Sequence, residues 1–417
     1  MITGFKFNNC FAFDKEVEMN LRADMRTKRF FSNVSNINES LNVLKSIAIY
    51  GPNNTGKTSF INCVRAIKNT IQDKVIALNA NIFTGSKLCY EAMSFIYKDE
   101  EYNYEYKYDC EKRLYVYEKM SSISRDVHGN ESEHLIFLKD TINEKYECPL
   151  DLNLQSVLNI ASTNNILIYT VQIEKFEILQ RIKEILTSIA DSIEIVDMNN
   201  IPNAKTIEIL KNKSKEEKKV VDFIKKADVY LDDYKYKENI LFEIDGKEAD
   251  EKILKNQNLM DQIRLVSVYK GKEVPSIIFD SLGTRKIVAL ASYVITAINE
   301  GKTLIIDELD SSLHFKVTRA IIGMFNNEIN QNAQLIATLH DISLLDCKKM
   351  FRKEQIWFTD KNEDGTELYS LKEFSYDQTG IRDTTDISDK YSKGVFGAIP
   401  EPDLISTMLE VDMDEEM

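Results

Sequence analysis

The chain has 417 residues, a formal net charge of −14 and 43% hydrophobic side chains. That apolar content excludes global disorder and suffices for two or more domains, or for one domain carrying a large insertion. The acidic balance argues against a protein that coats nucleic acid over its whole surface, while 53 Lys and Arg leave room for a local basic patch.

In chain order, ITGFKF and EVEMNL read as short strands, and LKSIAIY as a strand running into GPNNTGKTS. Phe60, Ile61, Val64, Ile67 and Ile71 then keep helical spacing. Over 93–118 the period changes to two: Tyr102, Tyr104, Tyr106 and Tyr108 alternate with polar residues and LYVYEKM follows, which predicts an antiparallel meander with one face exposed. The tyrosine stripe fits half-buried strand packing better than base stacking. From 155 to 262 the pattern is mainly helical, with Ile173, Phe176, Leu179, Ile182, Ile185 and Leu186 on one face. KNKSKEEKKVVDFIKKAD carries Glu216 and Glu217 among its lysines and reads as a solvated helix rather than a binding surface. After 275 the rhythm is SIIF as a strand, a helix to Glu300 stopped by Gly301, the strand TLIID, a helix and the strand QLIAT. IWFTDKNEDGTELYSL closes as a hairpin turning at Asp364-Gly365, and the end VDMDEEM is acidic. The expected organisation is an N-terminal lobe over 1–154, a mainly helical insertion over 155–262 and a C-terminal lobe over 263–417.

The six cysteines (Cys10, Cys63, Cys89, Cys110, Cys148 and Cys347) show no C-x-x-C spacing. Neither a disulfide framework nor a zinc site is expected; buried thiols in a reducing compartment are the simple reading. The N-terminus has no charged stretch leading into an apolar one, and no apolar run approaches the roughly 20 residues of a membrane span. A cytoplasmic protein without a membrane partner is expected.

GPNNTGKT, Gly51 to Thr58, matches G-x-x-x-x-G-K-[ST] between a strand and a helix. The two glycines let the backbone curl so that the N–H groups of Gly51, Pro52, Asn53, Asn54, Thr55, Gly56, Lys57, Thr58 and Ser59 (Pro52 excepted, which has none) can face an anion at a helix N-terminus. Lys57 brings charge to the β- and γ-phosphates of ATP, and the Thr58 hydroxyl is a ligand for Mg²⁺. In LIIDELDSSLH, a buried strand delivers Asp307 and Glu308 to a sheet's carboxyl edge, where such folds bind ligands. Asp307 would hold Mg²⁺ through water, and Glu308, pointing the other way, would deprotonate the attacking water. His340 ends the next strand, placed to reach the γ-phosphate. DSLGTRK opens a helix with Ile287, Leu290, Ala291, Val294, Ile295 and Ile298 inside. There Ser281 and Gly283 make either an anion site or a simple N-cap.

GPNNTGKT, DSLGTRK, IIDELDSSLH and ATLHD, in that order, resemble the ABC-class ATPases of the SMC, RecF and OLD type. The resemblance implies an α/β fold: an ABC-type P-loop NTPase head of mixed or parallel sheet with flanking helices, an antiparallel β subdomain and the helical insertion. It further implies that two copies pair head-to-tail around ATP, with Ser281, Gly283 and Thr284 serving the nucleotide held by the opposite copy and Asp310 in a loop at the interface. The same motifs with QIWF, ELYSL and YSKGVFGAIP resemble RloA/AbiLi-like AAA-family ATPases of abortive-infection defence against phage. That implies a separate effector, RloB-like or a TOPRIM nuclease, because the chain ends too soon after FGAIP for a fused one. The absence of LSGGQ disfavours a transporter subunit. A DNA-repair ATPase of RecF or SMC type, clamping duplex DNA, is the rival reading, and a non-catalytic scaffold a third, opposed by Glu308 and His340.

Overall fold

Two sheets grip one helix, and that arrangement fixes everything the candidate site needs. The computed structural model describes residues 1–400 except 28, 39, 76, 126–129, 228–229, 239–256, 347, 364 and 375–384. Cys347, Asp364 and the acidic end thus lie outside the described residues. The strands are β1 (Ile2–Asn8), β2 (Val17–Asn20), β3 (Val34–Asn36), β4 (Asn42–Leu44), β5 (Ser46–Tyr50), β6 (Leu88–Tyr97), β7 (Glu100–Asp109), β8 (Leu114–Arg125) and β9 (Glu131–Asp140). They continue with β10 (Lys145–Glu147), β11 (Ile193–Asp197), β12 (Asp233–Tyr236), β13 (Leu265–Tyr269), β14 (Lys272–Pro275), β15 (Thr303–Asp307), β16 (Gln334–Thr338), β17 (Ile356–Asn362) and β18 (Gly365–Ser370).

The central sheet has the order β11-β15-β16-β5-β17-β18, parallel except for the closing hairpin β17-β18. SIAIY, TLIID and QLIAT are buried along their whole length, as expected of parallel strands covered on both faces. A second, antiparallel sheet of order β10-β9-β8-β7-β6-β1-β2 lies over the helix Lys57–Ile71. Phe60 of that helix meets Phe5 and Phe7 of β1 edge-on, both at 5.6 Å. One apolar core thus runs from β1 and β6 through Phe60, Val64 and Ile67 to Ile47 and Ile49. A second core, on the other face of the central sheet, joins Ala48, Ile306 and Ala337 to Leu290 and Val294 of the helix Leu282–Glu300 and to Ile321 of the helix Phe315–Phe325.

Three expectations need correction. SIIF is a single helical turn, Ser276–Phe279, not a strand. Buried Asp280 accepts hydroxyl hydrogen bonds from Ser267 (2.7 Å), Tyr269 (2.9 Å) and Ser276 (2.5 Å), which curls the chain and leaves Ile278 and Phe279 outside. The meander does not leave its polar face open: Glu101 is buried there between Arg22 and Arg125. Finally, the stretch 155–262 is interrupted by β11, an edge strand of the central sheet, paired in parallel with β15 so that Asp197 lies opposite Asp307. Its later helices, Ala204–Lys211 and Glu217–Ala227, pack with Tyr234 and Leu265 on Val288, Ala291 and Ile295 of the long helix.

The tyrosine stripe is core. Tyr102, Tyr104 and Tyr106 are buried, and the hydroxyls of Tyr104 and Tyr106 donate to Glu118 and Glu91. Among the described residues no helix is long and apolar enough to cross a membrane.

Candidate functional site

Parallel register brings the carboxyl ends of four strands to one edge. Ile49 is opposite Thr338, Ile306 opposite Ala337, and Asp197 opposite Asp307. The sequence-predicted groups gather there because each follows one of these strands directly.

From Tyr50 the chain enters the phosphate loop with positive φ at Gly51 (154°), Asn54 (65°) and Gly56 (108°), the curl that turns successive N–H groups inward. A Cβ on Gly51 would lie 2.3 Å from the Thr359 carbonyl oxygen, so β17 closes the loop from behind and leaves room for glycine alone. The Thr55 hydroxyl is used inside the loop, donating to the Pro52 carbonyl (2.8 Å) and meeting the Thr359 hydroxyl (2.8 Å). Asn53, Asn54 and Thr58 face outward, Pro52 and Ser59 are half-buried. Lys57 Nζ reaches back across the loop to the carbonyls of Gly51 (2.7 Å) and Pro52 (2.8 Å). Burial draws its ammonium below the usual lysine range, against the pull of Asp307, Glu308 and Asp310.

Opposite, Thr58 Oγ1 donates to Asp307 Oδ2 (2.8 Å), while Thr338 Oγ1 donates to Asp307 Oδ1 (2.6 Å) and accepts from the Glu308 N–H (2.7 Å). The hydroxyl–carboxylate pair Thr58–Asp307 is a hard-oxygen donor set of the kind Mg²⁺ takes beside substrate phosphates. Glu308 has a left-handed backbone, φ 56°, which turns its side chain away from Asp307. Its carboxylate accepts from Asn199 Nδ2 (2.8 Å) and lies 3.9 Å from His340 Nε2, with both side chains partly exposed. A carboxylate and an imidazole at that edge can together accept and hold a proton from water. Asp310 is engaged: its Oδ2 accepts the N–H groups of His340 (2.7 Å) and Asp341 (2.6 Å), fixing the turn after β16.

Ser281 caps the helix Leu282–Glu300, its Oγ accepting from the Thr284 N–H (3.1 Å), and the Thr284 hydroxyl is buried against it (3.0 Å). Ser281 itself is exposed. Gly283 abuts the loop that follows Glu308: a Cβ there would lie 2.8 Å from the Ser312 carbonyl oxygen. The structure therefore gathers Lys57, Thr58, Asp307, Glu308 and His340 at one edge and ties Gly283 to that edge through the 308–312 loop.

Sequence reasoning left four contributors unassigned. Thr338 joins the two acidic residues, and Asn199 holds Glu308. Lys286 Nζ clamps the hydroxyls of Ser311 (3.0 Å) and Ser312 (3.3 Å), and Thr359 backs the loop. Thr338 was legible as the polar end of an apolar strand beside LIIDE. Asn199 was not, because β11 was hidden in a stretch read as helical.

Among solved structures the chain is similar to the SMC head domain from Thermotoga maritima, at 11% identity over 88% of this chain and 98% of that one, with a TM-score of 0.42. It is similar at 11% identity, over 88% and 96% and with a TM-score of 0.42, to the Smc head domain with an extended coiled coil bound to the C-terminal domain of ScpA, derived from Pyrococcus furiosus. No curated protein matches the chain. Residues 46–346, from the first residue of β5 to beyond His340, match the family described as "AAA domain, putative AbiEii toxin, Type IV TA system", and the chain belongs to that family of AAA domains.

Proposed function

We propose that this chain hydrolyses ATP as one half of a head-to-tail pair and that its nucleotide state controls a separate effector protein in defence against phage. The observation that carries the catalytic part is the hydrogen-bonded run Thr58–Asp307–Thr338–Glu308, which couples the phosphate loop to both acidic residues. In this reading the loop N–H groups between Gly51 and Ser59 and the Lys57 ammonium hold the β- and γ-phosphates. Thr58 and Asp307 would hold Mg²⁺, which when bound neutralises charge on those phosphates. Glu308, steadied by Asn199, takes the proton of the attacking water, and His340 stands beside the γ-phosphate. Exposed Ser281 and the adjoining Gly283 and Thr284 face the nucleotide of the second copy, and Asp310 orders the turn at the interface. The effector role is supported by the defence-type motifs and by a family description that names a toxin of a type IV toxin–antitoxin system.

Lys57→Ala tests the binding half. ATP affinity measured by calorimetry should fall by more than about tenfold, or about 1.4 kcal/mol. Affinity within about threefold of wild type would mean that the loop does not hold the phosphates. Hydrolysis stimulated by duplex DNA would favour the DNA-clamping reading instead.

A further inference from the structure

Four of the cysteines that the sequence scatters are drawn together behind the phosphate loop. Cys10 follows β1, Cys63 lies on the helix that begins at Lys57, and Cys89 and Glu91 alternate on one face of β6. Cys110 Sγ is 3.3 Å from Cys89 Sγ.

We propose that Cys10, Cys63 and Glu91 form a binding site for a zinc ion. Their Sγ, Sγ and carboxylate oxygen atoms all lie within 4.8 Å of one another, and among the described residues this is the one such set of three. Tetrahedral zinc with Zn–S of about 2.3 Å and Zn–O of about 2.0 Å needs donors about 3.5–3.8 Å apart, so donor pairs up to 4.8 Å apart need close by no more than about 1.3 Å. All three residues are 0% exposed. Glu91 supplies the second, independent observation. Its Oε2 accepts from the Tyr106 hydroxyl, but its buried Oε1 makes no hydrogen bond of good geometry, with the Cys63 thiol beside the carboxyl. A buried carboxylate oxygen without a partner is rare in a folded protein, and a cation satisfies it.

Two thiolates with one carboxylate are the donor chemistry of Zn²⁺ rather than of Mg²⁺ or Ca²⁺, which take oxygen alone. On binding, the two S–H protons and the proton that burial keeps on Glu91 leave to solvent as two Zn–S bonds and one Zn–O bond form, so three positive charges leave as the metal's two enter. Cys89 is the candidate fourth donor: its thiol pairs with those of Cys10 and Cys110 and donates to the Asn9 carbonyl (3.1 Å), and it must move inward to join the other three. Such an ion would pin the helix carrying Lys57 to β1 and β6. This inference does not depend on the ATPase reading.

The test is metal content. Full-length chain incubated with Zn²⁺ and desalted should retain about one zinc per chain by mass spectrometry. Cys10→Ser/Cys63→Ser should retain under about a fifth of that, while Asp307→Asn retains it all, separating the site from the phosphate edge. Wild type holding under about a fifth of an equivalent, or a folded double variant holding a full one, overturns the proposal. If the double variant does not fold, Co²⁺ added to wild type decides. A thiolate-to-cobalt charge-transfer band supports the site, and its absence shows that the cluster is a thiol–carboxyl hydrogen-bond network only.

Discussion

Thr338 Oγ1 donates to Asp307 Oδ1 at 2.6 Å and at the same time accepts the N–H of the next residue, Glu308, at 2.7 Å. One hydroxyl on a neighbouring strand thus sets both the carboxylate that would hold the metal and the backbone twist that aims the base. Thr338→Val keeps the shape and removes the oxygen. Stability should fall by about 1–3 kcal/mol, the cost of leaving a buried donor and acceptor unpaired. Turnover should fall further than ATP affinity does. Urea denaturation and steady-state hydrolysis measure the two, and a variant with wild-type turnover would remove Thr338 from the catalytic edge.

Glu308→Gln separates binding from chemistry. The amide still meets Asn199 but cannot take a proton, so turnover should drop roughly 10²–10⁴-fold with ATP binding kept. A purified variant that hydrolyses at the normal rate would show that another group activates the water.

Ser281→Arg places a bulky cation where the γ-phosphate of the opposite copy is proposed to sit. ATP binding to one chain should persist while hydrolysis is lost. Mixed with Lys57→Ala, the pair can assemble one site with an intact loop and an intact DSLGTRK stretch (the signature), and some hydrolysis should return. Wild-type hydrolysis by Ser281→Arg alone would reduce DSLGTRK to a helix cap, worth about 1 kcal/mol.

Gly283→Ala probes the contact between signature and 308–312 loop. Its Cβ would lie 2.8 Å from a backbone oxygen of Ser312, so one of the two segments must move. A loss of about 1–3 kcal/mol in unfolding free energy is expected from such overpacking. Hydrolysis should fall as Glu308 shifts with its loop. No change in either quantity would show that the two segments move independently.

Glu118 gives a pH dependence. It is buried on β8, opposite Tyr106 of β7, accepting from Tyr104 Oη (2.9 Å) and the Leu167 N–H (2.8 Å). Burial pushes its carboxyl from 4.5 up to about 7, against the opposing pull of Leu167, Lys139 and Tyr104. The folded chain therefore keeps a proton that the unfolded chain has lost, and the stability from this group falls as pH rises through about 7. Glu118→Gln has no proton to lose, so between about pH 5 and about pH 8 its stability should rise relative to wild type. Urea midpoints at both pH values check this; a constant difference would mean that Glu118 does not titrate on folding.

What sequence alone determined is the chemistry at the strand ends. SIAIY, TLIID and QLIAT are continuous apolar runs, and such runs must be buried on both faces, so the polar residues that follow them, Lys57, Asp307, Glu308 and His340, must emerge at one sheet edge. The signature was legible for a similar local reason: Ser281 and the apolar face from Ile287 to Ile295 announce a capped helix. The strand β11 was not legible, because IEIVD is too short to outweigh the helical pattern around it, and only pairing with β15 makes it a strand and brings Asn199 to Glu308. SIIF failed likewise, since the hydroxyls of Ser267 and Tyr269 on β13, with that of Ser276 in the turn itself, converge on Asp280 and curl it into a turn. Spacing along the chain carried no sign of the cysteine cluster either. Cys10, Cys63 and Glu91 meet because one helix is held between two sheets, and such long-range packing is a property of the assembled layers rather than of any segment.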